Sequence, residues 1–113
     1  MHEVGIANEI INIINGIMRE HPGKTVGNVK VIIGEMTAVV PDSLTFAYTA
    51  LTENTELQQS QLDIEIIPVS ATCNSCAKSF DIKEFEFKCP FCLSQDITVN
   101  NGNELYIKEL KVS

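Results

Sequence analysis

All four cysteines of this 113-residue chain fall in one short stretch, as Cys73-Asn74-Ser75-Cys76 and, twelve residues later, Cys89-Pro90-Phe91-Cys92. A C-x-x-C turn places two sulfurs on one cation, and two such turns complete a tetrahedral shell of four thiolates. A secreted disulfide scaffold spreads its cysteines along the chain, whereas the first 72 residues here contain none. The pattern predicts a metal, and four protein ligands leave no position for water, so the metal reads as one structural zinc ion per chain at Cys73, Cys76, Cys89 and Cys92. Size supports this reading. Ordering about thirty residues costs on the order of 1–2 kcal/mol each in backbone entropy, against few large apolar residues, chiefly Phe80, Ile82, Phe85, Phe87 and Phe91. Structural zinc contributes roughly 10–16 kcal/mol in small finger peptides. Three alternatives stay open: iron, which four thiolates also bind, a thiol redox pair, which needs one reactive C-x-x-C at a helix start, and a nucleic-acid-binding ribbon.

Charge weighs against the last of these. The formal net charge is −7, and residues 1–70 hold nine acids against three bases. In the loop between the cysteine pairs Lys78, Lys83 and Lys88 are balanced by Asp81, Glu84 and Glu86. An acidic surface repels phosphate backbones and anionic lipid and favours cations, so no nucleic-acid partner is expected. The uncharged run Ile10 to Met18 is far short of the roughly 20 apolar residues of a spanning helix, so no membrane insertion is expected. No basic segment opens the chain as a secretory signal would, and a cytoplasmic location is expected.

Around the cysteine region the chain reads as alternating helices and strands. Ile6, Ile10, Ile13, Ile14 and Ile17 recur at helical spacing, predicting an amphipathic helix that ends near Glu20, before His21, Pro22 and Gly23. Ile6, Ile10, Ile13 and Ile17 are its expected core residues, and His21 is an expected surface residue of its last turn. Val26 to Met36 reads as a strand. Pro41 suits a first helical position, Asp42 and Ser43 complement a helix start, and Leu44, Ala47, Tyr48 and Leu51 predict a second helix to about Glu53. Leu62, Ile64 and Ile66 alternate with Asp63 and Glu65 as a strand, and Leu105 to Val112 alternates again. Thr52 to Gln61 reads as a surface loop, and no internal repeat is visible. The predicted fold is α+β: two helices packed on a three-stranded sheet, formed by residues 1–70 and 104–113, with a zinc-ribbon-like four-cysteine lobe inserted at 71–103. No Ser/His/Asp set, glycine-rich phosphate loop or spaced carboxylate pair stands out. Glu35 and Asp42 read as capping or solvent-facing carboxylates, and no enzyme is expected.

The first residues offer a second metal site. The α-amine of Met1, the amide nitrogen of His2 and its imidazole Nδ1 can form adjoining chelate rings on one ion, and the amide nitrogen of Glu3 offers a fourth donor. Nitrogen coordination in a square plane suits Ni²⁺ or Cu²⁺. On spacing alone an incidental Met-His start stands as the alternative.

Met1-His2-Glu3, Gly34-Glu35-Met36, Val40-Pro41-Asp42, Phe46, the paired C-x-x-C turns and Gly102-Asn103-Glu104-Leu105 together resemble the HypA/HybF family of hydrogenase nickel-insertion proteins, over essentially the whole chain. The resemblance implies a nickel metallochaperone that binds Ni(II) as cargo at Met1, His2 and Glu3. It further implies work with a nickel-handling GTPase, delivery to the large subunit of [NiFe] hydrogenase and, for some members, service to urease maturation factors. Ala77 and Leu93 depart from the family pattern, where a glycine is common after the second cysteine of a pair, which bears on the shape of the turns. The alternative function is a zinc-ribbon adaptor that docks proteins without a nickel role.

Overall fold

The computed structural model describes residues 2–113, with the main chain alone at His2. Among these residues the order is α1 (His2–Met18), β1 (Val26–Gly34), a 3-10 turn (Glu35–Thr37), α2 (Pro41–Thr52), β2 (Gln61–Ile67), β3 (Ser70–Cys73), β4 (Ser79–Asp81), β5 (Ile97–Asn101) and β6 (Leu105–Val112). The strands form two three-stranded sheets, ordered β2-β1-β6 and β4-β3-β5. The α+β class, the two helices and the first sheet agree with the sequence. The second sheet was not expected, because Ser70–Cys73, Ser79–Asp81 and Ile97–Asn101 are too short and too polar to show a strand periodicity.

The chain forms two compact units. The first comprises residues up to 31, Val39–Glu65 and Tyr106–Ser113; the second comprises Ile32–Ala38 and Ile66–Leu105. In the first unit α1 packs against α2. The buried stripe of α1 is Ala7, Ile10 and Ile14, and that of α2 is Leu44, Ala47 and Tyr48, both at the 3- and 4-residue spacings of one helix face. Ile13 and Ile17 are corrections to the expected core, standing 52% and 36% exposed. A stripe centred on Ala7 rotates them outward, and an alanine carries too little apolar weight to mark the buried face in a sequence full of isoleucines. Leu57 is another correction. It is buried, so the stretch after α2 is tucked in rather than merely on the surface. The Tyr48 hydroxyl lies 2.7 Å from Ser60 Oγ, and burial, only partly offset by that hydrogen bond, pushes the phenol above its ordinary range.

β1 is the central strand of its sheet. Thr25 and Ser113 exchange both main-chain hydrogen bonds at 2.9 Å, and Gly34 N–H donates to Glu104 O at 2.7 Å with the same offset, so β6 returns antiparallel along β1. β1 ends earlier than Met36, because Glu35–Thr37 turn into the 3-10 segment. Its last four residues, Val31 to Gly34, are all buried, which explains why the alternation fades into a continuous apolar run there.

In the second unit Val69, Ala71 and Ile82 form a small core, with Met36, Phe80 and Ile97 packed against it. Phe85, Phe87 and Phe91 are exposed, so apolar burial contributes even less than the sequence suggested. Two glycines meet beside this core. A Cβ on Gly34 would lie 2.1 Å from the carbonyl oxygen of Gly102, and Gly102 has a φ of 131°, a conformation open to glycine. Gly102 O accepts from Met36 N at 2.8 Å, and Gly102 N–H donates to Glu104 Oε1 at 2.8 Å. Glu35 Oε1 lies 3.5 Å from Val69 N, a tie to the segment before β3 and not a helix cap. Backbone on both sides leaves nothing flexible to yield, so Gly34→Ala is expected to cost about 2–4 kcal/mol in denaturant unfolding. Gly27→Ala, whose new methyl would meet nothing nearer than 3.9 Å, is the matched control and should change stability by less than about 1 kcal/mol.

Candidate metal centre

The two cysteine pairs fold into turns that repeat one another hydrogen bond for hydrogen bond. In the first, Cys73 N donates to Lys78 O at 2.9 Å, and Ala77 N donates to Cys73 O at 2.9 Å. In the second, Cys89 N donates to Ser94 O, and Leu93 N to Cys89 O, both at 2.8 Å. Ser75 N–H points at Cys73 Sγ at 3.3 Å, as Phe91 N–H points at Cys89 Sγ at 3.4 Å. The repeat joins residues 73–78 to residues 89–94, a local internal symmetry that sequence comparison missed because only the cysteines are shared. Ala77 and Leu93 occupy equivalent left-handed positions, with φ of 65° and 64°. Glycine would enter that region freely, whereas a side chain there costs on the order of 1–2 kcal/mol. The departure from the family pattern noted in the sequence thus leaves the turn shape intact at an energetic cost.

The turns bring together all four predicted ligands. The four Sγ atoms lie within 4.8 Å of one another, with Cys73 and Cys92 at 3.5 Å and Cys76 and Cys89 at 3.6 Å. Tetrahedral zinc with Zn–S bonds of about 2.3 Å sets sulfurs about 3.8 Å apart, so the donor set fits a thiolate-bound ion such as zinc. Cys73 and Cys89 are buried, Cys76 is half-buried and Cys92 is exposed. The same four groups repel one another as anions when no cation is present. The Cys76 main-chain N–H, with help from that of Ser75, lowers Cys73 from 9.0 to about 6. At Cys92 the Ser94 N–H favours the thiolate, but the neighbouring Cys73 sulfur and burial outweigh it and push the thiol up to about 12. Cys89 is lowered and Cys76 is raised. One early and one late thiolate are what clustered acids show.

Around the centre, Lys78 Nζ sits 4.7 Å from the centroid of the Phe91 ring, a cation–π contact across the two turns. Asn74 Nδ2 donates to Asp96 Oδ1 at 3.0 Å, and the hydroxyls of Ser75 and Ser94 lie 3.0 Å apart. These polar ties across the rim, and the N–H groups aimed at sulfur, are contacts that the sequence pattern did not name.

Of the amino-terminal candidates, Met1 and the side chain of His2 lie outside the described residues. Glu3 stands in the first turn of α1, half-buried, and its Oε2 accepts a hydrogen bond from Val40 N at 3.1 Å. Val40 is the residue that opens α2, and its own side chain makes no cap. Asp42 lies in the first turn of α2, where its charge complements the helix dipole. His21 is exposed in the turn after α1. Among the described residues, the four cysteines are the cluster with metal-ligand geometry, and no helix is long and apolar enough to cross a membrane.

Comparison with known proteins covers the whole chain. Residues 1–112 match the family model described as HypA, hydrogenase/urease nickel incorporation, metallochaperone. A protein named hydrogenase maturation factor HypA from Lawsonia intracellularis is 37% identical over 117 residues, covering 99% of each chain. Another of the same name from Desulfitobacterium hafniense is 33% identical over 112 residues, 99% of this chain and 98% of that one. The solution structure of the Ni metallochaperone HypA from Helicobacter pylori superposes with a TM-score of 0.64 at 22% identity, over 96% of this chain and 95% of that one. A further HypA solution structure gives a TM-score of 0.70 at 23% identity, over 98% and 95%.

The spread of thiol acidities can be measured in metal-free protein by thiolate ultraviolet absorbance. The first ionisation is expected near pH 6 and the last near pH 12; they belong to the interacting set, so Cys73→Ser should remove the early step and also draw the late one down, because the Cys73 sulfur raises Cys92. Because Cys73 is depressed in the folded turn, its contribution to the metal-free lobe is full above the ordinary value of 9.0 and is lost as pH falls through about 6.

Proposed function

The chain belongs to the HypA family of hydrogenase/urease nickel-incorporation metallochaperones, maturation factors rather than enzymes, and from that premise we propose that it binds Ni(II) at its amino terminus and delivers it during [NiFe] hydrogenase maturation. Its partners in this reading are a nickel-handling GTPase, the hydrogenase large subunit and, for urease, the corresponding maturation factor, all met in the cytoplasm. Nickel is the cargo and zinc the resident metal, one ion per chain at Cys73, Cys76, Cys89 and Cys92. Residues 1–70 with 104–113 carry nickel, and residues 71–103 carry zinc.

The observation that carries this reading is that the family match begins at residue 1, so Met1-His2-Glu3 lies inside it. The chemistry supports it. The amine of Met1, the amide nitrogen and Nδ1 of His2, and a donor from Glu3 hold the ion. α1 starts at His2, and the opening N–H groups of a helix have no carbonyl partner within it, so the amide can exchange its proton for a metal at no loss of helical hydrogen bonding. A divalent cation at a helix start opposes the positive end of the dipole. The ionised amide and the Glu3 carboxylate, the acidic residue of that first turn, offset this. Amine, with an ordinary pKa of about 7.7–8.0, and imidazole, about 6.5, must both shed protons, so mild acid favours release. By the Irving–Williams order copper outbinds nickel at nitrogen, which leaves selectivity to metal supply and partners.

The test is calorimetric titration of Ni²⁺ into zinc-loaded protein with its native, untagged terminus, beside His2→Ala and a form extended by one residue before Met1. One nickel ion bound by the native chain, with at least a tenfold weaker site in both variants, is the expected result. Equal behaviour of all three would move nickel elsewhere and favour the zinc-ribbon adaptor.

A further inference from the structure

The bond between Glu3 Oε2 and Val40 N joins positions 37 residues apart. It joins two helix starts that are each short of support. The first turn of α1 contains Gly5, whose missing side chain leaves open space with nothing within 4 Å. Glycine is a poor helix former, and the opening amides of any helix have no carbonyl partners within it, so this turn is prone to fray. At the other end, Val40 gives α2 no side-chain cap, and Pro41 follows as the first helical residue without an N–H. A carboxylate there accepts a donor that lies outside the helix and places negative charge against its positive end. One side chain thus serves both helices.

We propose that the Glu3 carboxylate is a positioning group: by holding Val40 N–H it fixes the turn of α1 that carries the nickel donors, and it is not itself bonded to nickel. The inference rests on the nickel reading above and deepens it. Glu3 then has two separable parts. Its main chain stands next to His2 and supplies a donor to the ion, while its side chain points to the start of α2. Fixing the turn before the ion arrives removes ordering cost from the binding step, so the affinity of a chelate built on residues Met1 to Glu3 depends on a contact with residue 40. The requirement on residue 3 is an oxygen acceptor of the right reach, and charge is secondary.

That distinction selects the variants. Glu3→Gln keeps a side-chain oxygen at the same distance and loses the charge; Glu3→Ala loses both. Nickel titration of zinc-loaded, native-terminus protein should show Glu3→Gln within about threefold of the parent, the residue being lost attraction between a carboxylate and a divalent ion across solvent, and Glu3→Ala about tenfold weaker. The nickel electronic and X-ray absorption spectra should be the same in all forms that bind. In the metal-free proteins, hydrogen exchange at the Val40 amide, read by NMR, should be slow in the parent and in Glu3→Gln and faster in Glu3→Ala. Equal loss of affinity in both variants together with a changed nickel spectrum would make the carboxylate a donor and overturn the inference. Unchanged affinity in Glu3→Ala, or equal Val40 exchange in all three, would overturn it as well. Absence of nickel binding by the parent chain would end the inference together with the nickel reading, and the Val40 exchange rates would show separately whether the hydrogen bond itself had been misjudged.

Discussion

The second unit depends on the convergence of four sulfur atoms. Thiolates confined within 4.8 Å repel one another, and the turns that confine them hold Ala77 and Leu93 in a left-handed conformation that side chains resist. Neither feature is favourable on its own. A divalent cation held by the four sulfurs would reverse the first and compensate the second in a unit whose core is only Val69, Ala71 and Ile82. Apolar burial is thin in this unit, unlike the first, where the facing stripes of α1 and α2 supply the organisation.

The sequence was most legible where the chemistry is local. Spacing alone located the four cysteines that converge, because each C-x-x-C turn is built from consecutive residues and its geometry travels with them. Pro41 located the start of α2 within a residue. Legibility failed where a residue's role depends on something distant. Ile13 and Ile17 share the helical period of the true core but lie outside the stripe set by Ala7, and only the packed partner decides between neighbouring stripes. β4 and β5 are strands because β3 lies between them, not because Ser79–Asp81 or Ile97–Asn101 favour the extended state. The Glu3–Val40 hydrogen bond could not be read at all, since nothing in either segment marks the other.

In the proposed function the two metals ask opposite things of the protein. A resident ion is best enclosed by protein ligands on every side, as the fourfold sulfur set encloses it. A cargo ion must be handed over, so its donors belong where a partner can compete for them. Placing them on the first residues of a helix gives access, and anchoring that helix by its buried stripe gives address. Protonation acts on both sites in the same direction, but the chelate of amine and imidazole rests on weaker metal bonds than four thiolates. On that reading, cargo and scaffold would part company under conditions that leave the fold in place.

The exposed rings of Phe85, Phe87 and Phe91 have a colloidal consequence. With Leu93, at 66% exposure, they give each copy a set of apolar projections on its second unit. What keeps copies apart is like charge, a formal −7 at neutral pH, and that barrier vanishes toward the isoelectric point near 4.7. Acid that protonates the thiolates also removes the mutual repulsion, so release of an ion held there and loss of dispersion would arrive together.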